Sequence, residues 1–150
     1  MSVDELLARE EIRVLLASYN MAGDRGRLAD LAATFAPDGA LMGRERLLGR
    51  AAIEEGLGRR RTGAAEGPDR QMEFVRHNLT TSLVTFENET AARGRTYFIV
   101  FTNIGPDHMG VYVDSFEKRD GRWLIAEREV RIDWVSDQGH TLATRAQSRA

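Results

Sequence analysis

Between Val75 and Trp134, apolar and polar positions alternate through four long runs rich in Val, Ile, Thr, Tyr, Phe and Trp. Such residues suit a pleated surface with one buried face, so the runs predict four strands. Their expected bounds are Val75–Phe86, Ala91–Asn103, Gly110–Lys118 and Arg122–Trp134. The connections are short: Glu87-Asn88-Glu89-Thr90, Gly105-Pro106-Asp107-His108 and Arg119-Asp120-Gly121. Asp120-Gly121 is a hairpin signal, because the tight turn it makes needs φ > 0. Connections this short join antiparallel neighbours only. The runs therefore predict a meander that twists as it grows and has one face to bury.

Upstream the period changes. Ile12, Leu15, Leu16 and Tyr19 recur at helical spacing, in a helix that starts at the capping box Ser2–Glu5 and runs to about Ala22. Leu28, Leu31, Ala32 and Phe35 mark a second helix that ends at Pro37, followed by a turn over Ala36–Gly39. Ala40–Gly43 reads as a short strand, and Gly49–Leu57 as a third helix with Ile53 and Leu57 inward. Arg59–Arg70 has no apolar anchor and predicts an exposed loop. Residues 1–135 form one expected domain, and 136–150 a polar tail. Helices followed by strands argue an α+β fold. The expected form is a cone: a curved antiparallel sheet wrapped around the N-terminal helices. Its mouth is lined by helix 1, the turn after it and inward strand positions, a usual place for a small-ligand site.

Composition narrows the choices. A chain of 150 residues is long enough for one domain with a sizeable core. A net charge of −2 gives no reason to expect nucleic acid or an anionic membrane as partner. With no cysteine there is no disulfide, thiolate nucleophile or Cys-held metal. No apolar run is long enough for a spanning helix, and no leader pattern is visible, so a cytoplasmic location is the expectation. There is no phosphate loop, metal-ligand spacing or nucleophile elbow, so neither cofactor nor metal is expected.

The candidate chemistry lies in a few residues. Of His77, His108 and His140, only His77 falls inside a predicted strand. It shares parity with Val75, Leu79 and Leu83, which turns its ring to the core side, as a bonded core histidine or a functional one. His108 lies in the Gly-Pro turn and is expected to be solvated. Asp24, just past helix 1, is placed either to cap helix 2 or to reach the cone mouth. Tyr19 on the apolar stripe is a core tyrosine or a donor at that mouth. Asp114 shares a face with Tyr112 and Phe116, which makes it a semi-buried carboxylate. Arg131 sits between Val130 and Ile132 near the end of the last strand. Glu127, Arg128, Glu129 and Arg131 read as a charge ladder on a solvated face. Thr80, Ser82, Val84, Phe98 and Val100 fall on the sheet's second face. That partly apolar surface predicts a homodimer or homotrimer packed through the sheet.

EEIRVLLASYNMAGDRGRLADLAATFAPDGAL at the front, with RHNLTTSLV and GVYVDSFEKRDGRWLIAEREVRIDW at the back, resembles the SnoaL-like branch of the nuclear transport factor 2-like superfamily. Within it the pattern is similar to scytalone dehydratase, hexachlorocyclohexane dehydrochlorinase and bile-acid 7α-dehydratase. The resemblance implies a cystatin-like α+β barrel and puts Asp24 and His77 at that group's acid/base positions. Tyr19 matches a tyrosine of the bile-acid enzyme, and Arg131 lies in a similar VRI stretch. Arg131, Asp114 and Tyr112 are the expected substrate contacts. Val100 stands where the bile-acid enzyme has a further acidic residue. The implied function is a cofactor-independent lyase of the dehydratase type, or an isomerase, acting on a small apolar polycyclic or aromatic molecule. A non-catalytic binding module or an interaction subunit of the same fold is the alternative.

Overall fold

The computed structural model describes residues 1–64 and 73–139. Helix α1 spans Val3–Asp24, and Ser2 caps it: the Ser2 hydroxyl accepts from the Glu5 backbone N–H at 3.1 Å. Ala8, Ile12, Leu16, Tyr19 and Asn20 form its buried stripe. Gly26, at φ +69°, supplies the left-handed turn into the short α2, Leu28–Ala32. There follow β1 (Phe35–Met42), β2 (Arg46–Leu48), α3 (Arg50–Ala64), β3 (Val75–Phe86), β4 (Ala91–Thr102), β5 (Gly105–Arg119) and β6 (Arg122–Val135).

The strands form one curved, unclosed sheet in the order β2-β1-β6-β5-β4-β3. Strands β3 to β6 are the predicted antiparallel meander. Asp120 at φ +50° and Gly121 at φ +77° make the predicted last hairpin turn. Ile12, Phe35, Ile53, Phe98, Val100 and Phe116 are buried together where the helices pack on the concave face.

Three expectations change. The segment Ala36–Gly39 is not a turn after helix 2 but part of β1, which pairs parallel to β6. Pro37 is tolerated there because the register shifts between Phe35 and Ala40, which removes the ladder position its missing N–H would spoil. Arg59–Ala64 continue α3 rather than forming a loop; residues 65–70 of that expected loop lie outside the described residues, as does the tail from His140 onward.

The third change concerns faces. The β3–β4 register shifts between Leu79 and Ser82. One extra residue flips the alternation that follows. Val75, His77 and Leu79 face the core, and beyond the bulge so do Ser82, Val84 and Phe86. Leu83, expected beside His77, is 68% exposed. Phe98 and Val100, expected on the outer face, are core residues, and Ser82 bonds inward to Thr96 at 2.8 Å.

Candidate active site

Asp24 is the last residue of α1 and His77 the third residue of β3. The Asp24 carboxylate grips His77 twice. Oδ2 accepts the His77 backbone N–H at 3.0 Å, and Oδ1 lies 2.6 Å from ring Nδ1. The capping alternative for Asp24 does not arise, since the N-cap of α2 is Arg27 and carries no side-chain bond. A carboxylate only accepts, so Nδ1 bears the hydrogen and the neutral ring's lone pair sits on Nε2. The Asp24 side chain is 7% exposed and that of His77 26%. The pair is thus half-sheltered, with only the imidazole open to a visitor.

What it opens onto is a cavity of about 680 Å³ between α1 and β3. Leu16, Ala17, Leu79 and Val84 supply apolar wall; Asn20, Ser82 and Thr96 supply polar points; Arg9 and Arg13 line it too. Asn20 stands one helical turn before Asp24, on the same side of α1. Its Oδ1 accepts from the Tyr112 hydroxyl at 3.1 Å.

Behind that wall is a buried charge pair. Arg128 holds Asp114 with two parallel bonds, Nε to Oδ1 and Nη2 to Oδ2, each 2.8 Å, and neither side chain has any exposure. The guanidinium lies between the rings of Tyr19 and Tyr112, 4.2 and 4.0 Å from their centroids. Burial opposes the Arg128 charge, but the Asp114 carboxylate outweighs it through charge and hydrogen bonding, and the guanidinium pKa is raised. Burial pushes the Tyr112 hydroxyl well above the usual tyrosine range, with Tyr19 adding to the effect and Arg128 opposing it. Burial raises Tyr19 as well, again against Arg128.

Of the six expected site residues, the fold brings Asp24 and His77 together at the cavity. Tyr19, Tyr112 and Asp114 lie behind its wall and are buried: Tyr19 and Tyr112 do not line the cavity, and Asp114 is buried rather than semi-buried. Arg131 is placed elsewhere. It stands on the convex side, half-exposed, with Nε and Nη2 on the two oxygens of Glu129, each at 2.8 Å. The reason is a second bulge: the β5–β6 register slips between Ser115↔Glu127 and Phe116↔Ile125. The extra residue, Ala126, turns Arg128 inward and leaves Glu127, Glu129 and Arg131 outside. The charge-ladder reading of Arg128 is therefore overturned, and no local pattern marked it.

His108 is also corrected. Strand β5 begins at Gly105, so His108 lies within a strand and not in a solvated turn. Its Nδ1 is 2.8 Å from Oδ1 of the buried Asp107, and its ring centroid is 6.4 Å from that of His77.

A curved, unclosed, mainly antiparallel sheet over N-terminal helices, with a cavity between the first helix and the first long strand, defines the cystatin-like α+β class. Within that class the chain belongs to the SnoaL-like domain family, whose sequence pattern matches residues 4–129. Solved structures agree. A protein of unknown function with a cystatin-like fold from Nostoc punctiforme is 25% identical, with a TM-score of 0.74 over 85% of this chain and 92% of that one. A protein from Catenulispora acidiphila is 26% identical, with a TM-score of 0.73 over 86% and 94%. Hexachlorocyclohexane dehydrochlorinase LinA-type3 from Novosphingobium barchaimii shares the fold at 16% identity, with a TM-score of 0.75 over 89% and 92%. No curated protein matches the sequence.

Proposed function

We propose that the protein is a cofactor-independent lyase of the dehydratase type, or an isomerase, acting on a small apolar polycyclic or aromatic molecule, with Asp24 and His77 as its acid/base pair. The observation that carries this reading is the 2.6 Å contact between Asp24 Oδ1 and His77 Nδ1 on the wall of a cavity of about 680 Å³. A volume in that range suits a drug-sized organic molecule. Neutral His77 takes, at Nε2, the proton of a carbon acidified by a neighbouring carbonyl. Asp24 keeps the tautomer and stabilises the imidazolium that forms. The imidazolium then gives the proton to a leaving hydroxide, releasing water and leaving a C=C bond, or to another carbon of the same molecule. No electrons leave the substrate in either course. Tyr19 and Tyr112 remain neutral donors through neutral pH, and Tyr112 holds the Asn20 amide at the cavity wall. A non-catalytic binding module would use the same cavity without moving a proton.

The test is proton exchange at C1 of 2-tetralone in D2O, a small bicyclic ketone with an acidic C–H, followed by proton NMR. Wild-type protein is expected to accelerate exchange over buffer. His77→Ala returns it to the buffer rate, with the far-UV spectrum unchanged. Asp24→Asn lowers it on the order of 10²–10⁴-fold, as loss of an orienting carboxylate does in a serine-protease triad. Exchange that survives His77→Ala sinks the proposal.

A further inference from the structure

Asn20 and Asp24 both line the cavity from α1. Four residues advance a helix by about 6 Å and return to nearly the same side, so the Asn20 amide stands one turn from the Asp24–His77 contact. Asn20 is 5% exposed, and its two polar atoms are treated differently. Oδ1 accepts from the Tyr112 hydroxyl at 3.1 Å. Nδ2 is buried and has no hydrogen-bond partner among the described residues. Interior donors are rarely left so, because an unmade bond costs the desolvation of the group with no return.

Tyr112 decides which end of the amide is free. Burial pushes its hydroxyl well above the usual tyrosine range, so it keeps its proton and donates it to an oxygen. Tyr112 lies behind the cavity wall, and Oδ1 turns toward it. In a planar amide Nδ2 then points the other way, to the cavity that Asn20 lines. Other polar groups on that wall are already held: Arg9 by Glu5 and the Val84 carbonyl, Arg13 by Glu10, and Ser82 and Thr96 by each other.

We propose that Asn20 is a further catalytic residue: its Nδ2–H donates to the carbonyl oxygen of the substrate and holds the enolate that forms when His77 removes the adjacent proton. The proposal rests on the acid/base reading of Asp24 and His77. As His77 Nε2 takes the proton, the C–H pair becomes a C=C bond and the carbonyl π pair moves onto oxygen. Asn20 transfers no proton; its hydrogen bond strengthens as the oxygen gains charge. A donor oriented beforehand needs no rearrangement at that moment, and this is the source of its catalytic effect. The same contact narrows the substrate class to cyclic ketones, with the oxygen toward α1 and the acidic C–H toward β3. A hydrocarbon of the same skeleton leaves Nδ2 unpaired and is disfavoured.

The experiment reads the carbonyl stretch of protein-bound 2-tetralone by infrared difference spectroscopy, alongside its exchange rate, in wild type, Asn20→Leu and His77→Ala. Leucine is close to asparagine in volume and keeps water from replacing the amide. In wild type the bound stretch is expected below its position in an apolar solvent, as a hydrogen-bonded carbonyl absorbs. In Asn20→Leu it moves up to that position, and exchange slows about 10²–10³-fold, the usual loss for one oxyanion donor. His77→Ala stops exchange but keeps the wild-type stretch. If Asn20→Leu fails to fold, Asn20→Val takes its place. A wild-type stretch or a wild-type exchange rate in the Asn20 variant overturns the proposal. So does a wild-type protein with no bound band, or with one at the apolar-solvent position. Exchange that survives His77→Ala sinks the acid/base reading instead, and the carbonyl band still reports on Asn20.

Discussion

At the scale of single residues, burial separates two arginines that are three positions apart. Arg128 sits between two tyrosine rings with both ends of its fork on Asp114, out of contact with water. Asp114→Ala leaves that guanidinium buried without its counter-charge. A loss of this kind costs about 3–5 kcal/mol. For a chain of 150 residues, the melting temperature is expected to fall by roughly 10 °C or more. Arg131 is solvated beside Glu129, and Arg131→Ala is expected to melt with wild type; calorimetry on the two variants checks both outcomes. Tyr112 adds a pH signature. Its folded-state pKa is raised, so the folded chain keeps a proton that the unfolded chain releases above about pH 10. The sign follows: its contribution is intact below that value and is lost as pH rises past it. Urea unfolding at pH 8 and at pH 10.5 is expected to give a lower midpoint in the second.

At the scale of elements, bulges decide which residues do what. The slip in β3 keeps His77 inward and then admits Ser82 and Val84 to the cavity; the slip at Ala126 turns Arg128 in. A third lies where β5 and β6 shift between Met109 and Gly110. There the Gly110 backbone runs so close to β6 that a Cβ would overlap the Arg131 carbonyl oxygen. Backbone cannot yield as a flexible side chain does, so Gly110→Ala is expected to cost more than about 3 kcal/mol. Gly121 offers the contrast. It sits at φ +77° with open space around it, so Gly121→Ala pays only for the left-handed backbone, about 1 kcal/mol. Thermal melts of the two variants should differ accordingly, and equal losses would contradict the close approach.

At the scale of the whole molecule, the helices cover one side of the sheet and leave the other. Association through that convex side is still expected, on residues of the opposite parity from those the strand pattern suggested. Ile99 pairs with Met109, and Met109 with Trp134, while Tyr97 pairs with Val111. Tyr97, Met109 and Trp134 are all substantially exposed. A contiguous apolar strip of this kind favours a closed symmetric assembly. Light scattering at micromolar concentration is expected to give a homodimer or homotrimer, and Tyr97→Glu with Met109→Glu a monomer. A monomeric wild type would refute it.

The elements themselves were legible in the residues, because their causes are local. The bounds of β3 follow from its alternating run, the last hairpin from Asp120-Gly121, and the start of α1 from Ser2 and Glu5. The α+β class follows from their order. Asp24 and His77 stood out as candidates through parity, position and family resemblance. What only the tertiary structure decided is set by partners far along the chain. The parallel pairing of β1 with β6 depends on where the meander ends. The inward turn of Arg128, the outward turn of Arg131 and the approach of His108 to His77 depend on single extra residues. Alternation in one strand carries no trace of these until a neighbouring strand fixes the register. The Asp24 carboxylate chose His77 over a helix cap for the same reason: 53 residues separate the two, and only the packing of α1 against β3 brings them within a hydrogen bond.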